Sequence, residues 1–208
     1  MSLRSTSCRL VLLVLVVCIV AGAADFTWDW RNQEVIGRTD TSLGNTSKLT
    51  EPERNALLDA VIVRLMKPLG ERGYEDDRIR EIALTTRVRF VDVGGDQQVL
   101  MAMSLGIEGG CDTLANCPFW IFRHGTDGYV PMLEAEAASY TLQPTMTEGH
   151  SDIVLARHTT PSETRLTLYK YADGKYAEAG CYTAIFAPPK EGEGIEDPEI
   201  TPCKKDGE

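Results

Sequence analysis

Histidine is scarce in this sequence. His124, His150 and His158 are the only three among 208 residues. A zinc centre or an imidazole-activated nucleophile would need two of them to converge with a carboxylate. Basic residues are also short, with 21 Lys and Arg against 31 Asp and Glu and a formal net charge of −10. That balance argues against nucleic-acid binding, which needs Lys and Arg clustered on phosphates. The sequence has no glycine-rich phosphate loop and no G-x-S-x-G elbow. Beyond residue 20 no apolar run approaches the about 20 residues that cross a bilayer. No membrane span is therefore expected in the mature chain. Aromatic residues at 7% and charged residues at 25% exclude collagen-like and wholly disordered chains.

At the N-terminus Arg4 and Arg9 form a basic region that precedes an apolar run over 10–20. Ala21-Gly22-Ala23 follows, small at both positions a signal peptidase reads. The expectation is a secretory signal over 1–23, a mature chain from about Ala24, and a secreted or periplasmic location. Removal of the signal takes away Cys8 and Cys18 and leaves Cys111, Cys117, Cys181 and Cys203. An even set in an exported protein points to disulfides, with three possible pairings. Cys111–Cys117 with Cys181–Cys203 is the pairing expected. The first pair is close in sequence, and the second would pin a tail that little else holds.

Residues 24–50 read as a polar arm whose rings, Phe26, Trp28 and Trp30, dock on the domain. Asn45-Thr46-Ser47 within it matches a glycosylation acceptor pattern. The globular domain is expected over 51–187. Thr50, Pro52 and Glu53 spell a capping box with proline in the first turn. Leu57, Leu58, Val61, Ile62, Leu65 and Met66 then repeat at helical spacing, and Pro68 and Gly70 stop a helix predicted over 51–66. From Arg78 the period changes to two: Ile82, Leu84, Thr86, Val88 and Phe90 alternate with more polar residues, as in a half-buried strand. The helix should set Leu58, Ile62 and Leu65 on Ile82, Leu84 and Val88.

Further strands are predicted over 99–105, 119–122, 129–133, 140–143, 152–158, 164–171 and 175–182. Turns at Gly94-Gly95, Asp127-Gly128 and Asp173-Gly174 join several of them. The segments 99–129 and 153–176 resemble each other weakly. The fold expected is α+β, with one N-terminal helix packed on a largely antiparallel β-sheet containing two similar hairpin units. Residues 188–208, rich in proline and acids, read as a disordered acidic tail.

The most distinctive stretch is Gly109-Gly110-Cys111 through Cys117-Pro118-Phe119-Trp120. A disulfide across it would quiet a long connection or present a rigid recognition loop. A redox centre would use the closer C-x-x-C spacing. Cys111-x5-Cys117-Pro118 followed by Phe119-Trp120-Ile121-Phe122 resembles a motif of secreted bacterial proteins, C-G-x-x-G-N-C-P before an apolar strand. The likeness continues at His158, Glu163 and Cys181-Tyr182 and covers about residues 80–185. Asp112 and Ala115 stand where that pattern has glycines. The resemblance implies a secreted protein, and because that family has no established activity, no catalytic role is carried over from it.

Three candidate binding residues lie on or beside the loop: Asp112, Asn116 and Trp120. The candidate catalytic set is His158 with Glu163 across the turn at 159–162, and Asp152. That pair is either a local clasp or a general-base pair. Asp92-Val93-Gly94-Gly95-Asp96 lacks the further oxygen ligands of a calcium loop. Glu134 and Glu136 share a strand face and are explained by solvation. No metal and no cofactor is expected. The leading expectation for function is non-catalytic binding of a protein, peptide or glycan in the cell envelope or outside it. A hydrolase built on the His–carboxylate pair and a structural or inhibitor-like module are the alternatives. A convergent pocket would favour the hydrolase, and an exposed patch of Trp28, Trp30 or Trp120 would favour binding.

Overall fold

The capping box is where helix α1 (Glu51–Gly70) starts. Glu53 Oε2 accepts the Thr50 N–H at 2.8 Å, and the Thr50 hydroxyl accepts the Glu53 N–H at 3.5 Å. This computed structural model describes residues 26–37, 39–95, 98–126, 128–188 and 194–204. The expected signal segment lies outside them. α1 runs through Pro68 and ends later than predicted. The proline costs it one backbone hydrogen bond in its last turn, while the fully buried Leu69 holds that turn on the core.

The predicted strand over 82–90 divides in two. Its first part belongs to a second helix, α2 (Asp76–Thr85), so the described residues hold two α-helices rather than the one expected. Ile79, Ile82 and Ala83 are buried at helical spacing, while Leu84, expected on the sheet, is 37% exposed. Asp76 and Asp77 occupy the first turn, where the helix dipole favours acids. Alternation at 82 and 84 fits either period; the buried triplet decides for the helix.

The strands are β1 (Thr41–Ser42), β2 (Arg87–Val91), β3 (Val99–Met103), β4 (Cys117–Gly125), β5 (Gly128–Ala137), β6 (Ser139–Thr147), β7 (His150–Thr160), β8 (Glu163–Ala172), β9 (Lys175–Ile185) and β10 (Glu199–Pro202). They form two antiparallel five-stranded meanders, ordered β1-β2-β3-β4-β5 and β10-β9-β8-β7-β6. The two expected hairpin units do not stand as repeats within one sheet. They fall in separate sheets, and ordinary tight turns account for their likeness.

Four layers stack. α1 and α2 cover one face of the first sheet, with Leu57, Leu58, Val61 and Leu65 in one cluster with Val88, Leu100, Trp120 and Phe122. The other face of that sheet, carrying Met101, Phe119 and Ile121, meets Ile153, Leu155 and Tyr176 of the second sheet. Burial on both faces explains why β3 is apolar throughout, without alternation. Trp28, with Phe26 and Trp30 beside it, closes the outer face of the second sheet over Val154, Ala156, Leu166 and Ala184. A backbone hydrogen bond from Ser151 N to Val93 O, 2.6 Å, ties the two sheets together.

The N-terminal segment does more than dock its rings. Ile36 and Leu43 are fully buried, and Glu34 exchanges backbone hydrogen bonds with Tyr140 at 2.7 and 2.9 Å. Arg89 of β2 clamps the same segment: its guanidinium donates to both oxygens of Asp40 at 2.8 Å and to Val35 O at 3.1 Å. At the other end, residues 199–202, expected in a disordered tail, form β10 on β9. Trp30 Nε1 donates to Asp197 at 2.8 Å and Arg31 pairs with the same carboxylate, so side chains as well as a disulfide hold this stretch.

Candidate functional site

Both expected disulfides are present. Cys111–Cys117 spans 4.0 Å between Cα atoms and Cys181–Cys203 spans 5.3 Å. Within the small loop, Asp112 Oδ1 accepts the N–H groups of Leu114 and Asn116, each at 2.9 Å. Asn116 is 1% exposed. Its amide donates to Asp112 Oδ2 and to His158 O, both at 2.8 Å, and accepts the His158 N–H at 2.7 Å. The loop is thereby sewn to β7. Burial pushes the Asp112 carboxyl up, but hydrogen bonds from Asn116 and Leu114, with the charge of Arg157, hold it below the usual range. Ala115, at a glycine position of the resembled motif, has φ 63°.

The candidate catalytic residues do not converge. His158 Nδ1 lies 3.0 Å from the Thr164 hydroxyl, while the Glu163 carboxylate accepts from Thr159 at 3.0 Å. An irregularity between His158 and Thr160 sets the register, placing Thr164 opposite His158 and Glu163 opposite Thr160. Asp152 stands six residues back along β7, about 20 Å away at strand rise. The other histidines are spread elsewhere: His150 stacks on Tyr171 at 3.7 Å and His124 tilts against Tyr129 at 5.2 Å. Trp120 is 4% exposed under the helices, so it offers no binding face. Among the described residues no group of three or more His, Cys, Asp or Glu is placed to hold a metal ion.

Asp152 nevertheless lies at the floor of a pocket. β6 loses register with β7 between Leu142 and Met146. Pro144, inside that gap, has no N–H to offer the ladder. The strand bows away and leaves a pocket of about 390 Å³ on the outer face of the second sheet. The Asp152 side chain is 2% exposed. Thr145 and Thr147 donate their hydroxyls to its two oxygens at 2.8 and 2.6 Å, and Lys170 Nζ is 3.8 Å away. A carboxylate has lone pairs beyond those two bonds, free for a further donor.

One wall of this pocket is apolar. Phe26 and Tyr182 stack with centroids 3.8 Å apart and planes 7° apart, and Leu168 adjoins them. Thr27, Gln143 and Pro144 form a ridge shared with a second hollow of about 340 Å³, lined by Asp29, Asn32, Glu34 and Thr141. The two hollows adjoin through these shared residues, the first with the aromatic wall and the second lined by amides, hydroxyls and carboxylates. Sequence reasoning named Asp152 but not Thr145, Thr147, Lys170 or Gln143. The available signal was Pro144 beside two threonines, shortly before an acid that opens the apolar run 153–156.

No family model matches the chain, and no curated protein or solved structure matches it.

Proposed function

We propose that the protein is a non-catalytic binding module of an oxidising compartment, secreted or periplasmic, and that it seats a sugar unit of a glycan in the pocket above Asp152. The observation that carries this reading is the buried carboxylate between threonine hydroxyls and an apolar ring wall. A pyranose has the matching chemistry: an apolar C–H face for Phe26, Leu168 and Tyr182, and hydroxyl edges that can donate to Asp152. Lys170, Asn32 and Gln143 supply donors for the sugar oxygens. A concave, part-apolar site with a few placed polar groups is the usual form of a small-ligand seat, and about 390 Å³ lies at the small end of such volumes. Two disulfides support the compartment, because they persist where the medium is oxidising.

Calorimetric titration with a panel of neutral and acidic oligosaccharides tests the proposal. At least one should bind, Asp152→Asn should weaken it about tenfold by removing a charge-assisted acceptor, and Phe26→Ala should weaken it further. A panel without a binder, or equal affinity for the folded Asp152→Asn protein, overturns it.

A further inference from the structure

A second concavity lies on the opposite face of the second sheet. It has a volume of about 290 Å³ and sits between β5 and the inner face of β7, β8 and β9. β5 ends the strand order of its sheet, so one of its edges has no strand neighbour, and Glu134, Ala135 and Glu136 of β5 line the cleft. The wall opposite is charged. Arg157 and Arg165 are direct partners across β7 and β8, and like charges so placed repel. Arg157 is committed to Glu136 at 3.2 Å. Arg165 forms no ion pair among the described residues, and neither does Glu178, which is paired with Tyr169 on the adjoining strand.

Tyr169 reports that these two charges share the cleft. Its hydroxyl is pushed above the ordinary range by burial and by Glu178, with Arg165 acting the other way. Along β8, Arg165 and Tyr169 are separated by about 13 Å of extended chain with Thr167 between them. The cleft therefore combines a strand that has an open edge with a cation and an anion at the spacing of residues i and i+4 on one side of a strand.

We propose that the cleft takes an extended peptide as an added strand on β5, with an acidic side chain on Arg165 and a basic one against Glu178. A free strand edge supplies backbone hydrogen bonds to any extended chain, and the facing side chains select its sequence. A small acid would use Arg165 and leave the edge unpaired. A second copy of this chain, added β5 to β5, would crowd Glu134 and Glu136 of both copies along one seam, which the charges oppose. The peptide proposal is independent of the sugar proposal, because Arg165 and Glu178 lie on the other face of the sheet from Asp152.

The test uses the full mature protein and fluorescein-labelled peptides of alternating valine and threonine. Glu and Lys are placed as Arg165 and Tyr169 are spaced on β8, in both orders. Polarisation should show binding of one order, loss of about tenfold when both charges become Gln, and loss on N-methylation of alternate backbone nitrogens. Arg165→Glu should reject the mixed peptide and accept a Lys/Lys peptide that the wild type rejects. This switch also shows that the variant is folded. Asp152→Asn should leave peptide affinity unchanged, so failure of either proposal is visible separately. No binding of either order, indifference to N-methylation, or an unswitched Arg165→Glu protein overturns the inference.

Discussion

Replacing Arg89 by Met should loosen the N-terminal segment without opening a cavity, since the new side chain keeps most of the aliphatic stem. The guanidinium donates through Nε and Nη2 to the two Asp40 oxygens at 2.8 Å, to Glu34 at 2.6 Å, to the Tyr140 hydroxyl at 3.2 Å and to Val35 O at 3.1 Å. The Arg89 side chain is 29% exposed and that of Asp40 13%, whereas Glu34 is 54% exposed. The Glu34 contact thus counts as a surface pair of at most about 1 kcal/mol. The Asp40 fork lies between that and the about 3–5 kcal/mol lost when a fully buried pair is broken. A total of about 2–3 kcal/mol follows, and at about 2–4 °C per kcal/mol for a chain of this size, the melting temperature should fall by about 5–10 °C.

The pH dependence supplies the sign. Burial raises the Asp40 carboxyl, but the Arg89 fork and the Gly37 N–H lower it more, and its net shift is downward. A depressed carboxylate stabilises the fold above its unfolded pKa, about 3.9, and loses that contribution as pH falls through the folded value. The gap between wild type and Arg89→Met in thermal melts followed by circular dichroism should therefore be level from about pH 7 to 5 and shrink below about pH 4. A variant melting within about one degree of wild type at pH 7, or a gap that persists in strong acid, would refute the reasoning.

Two further outcomes are expected. The double substitution Cys181→Ser with Cys203→Ser removes a cross-link of sequence separation 22, which on the loop-entropy model costs about 3 kcal/mol; urea unfolding should show that loss, and the amides of 199–201 should become the fastest-exchanging of the second sheet. Leu58→Ala, at a side chain 2% exposed in the helix–sheet layer, should cost about 2–5 kcal/mol in the same urea experiment, and an unchanged midpoint would mean that α1 does not rest on the sheet.

What the sequence discloses here follows from how local each signal is. The start of α1 was legible because a capping box is complete within four residues. The hairpins were legible because Gly94-Gly95 and Asp173-Gly174 punctuate alternating runs. α2 is hidden in the sequence because Ile82 and Leu84 satisfy a period of two, and only Ile79 and Ala83 reveal the helical stripe. No alternation says which sheet a strand joins, so the division into two meanders was out of reach. The same holds for the site. His158 and Glu163 are neighbours in the hairpin, as expected, but an irregularity of one residue sends each to a threonine instead. Asp152 could be named, while its partners depend on the gap that Pro144 opens in the ladder.

The docking of Phe26, Trp28 and Trp30 on the outer face of the second sheet has a consequence for synthesis. These rings lie at residues 26, 28 and 30, yet part of the surface that receives them, Tyr182, Ala184 and Phe186, belongs to β9 and the residue after it. Until β9 is made, three large aromatic side chains lack these partners. Exposed rings and unpaired strands are the features that draw nascent chains into aggregates. The hazardous interval thus spans most of translation and closes only once β9 has left the ribosome. A chaperone that shields aromatic residues near the N-terminus would act on this chain for most of its passage, and would be displaced by the protein's own last strands.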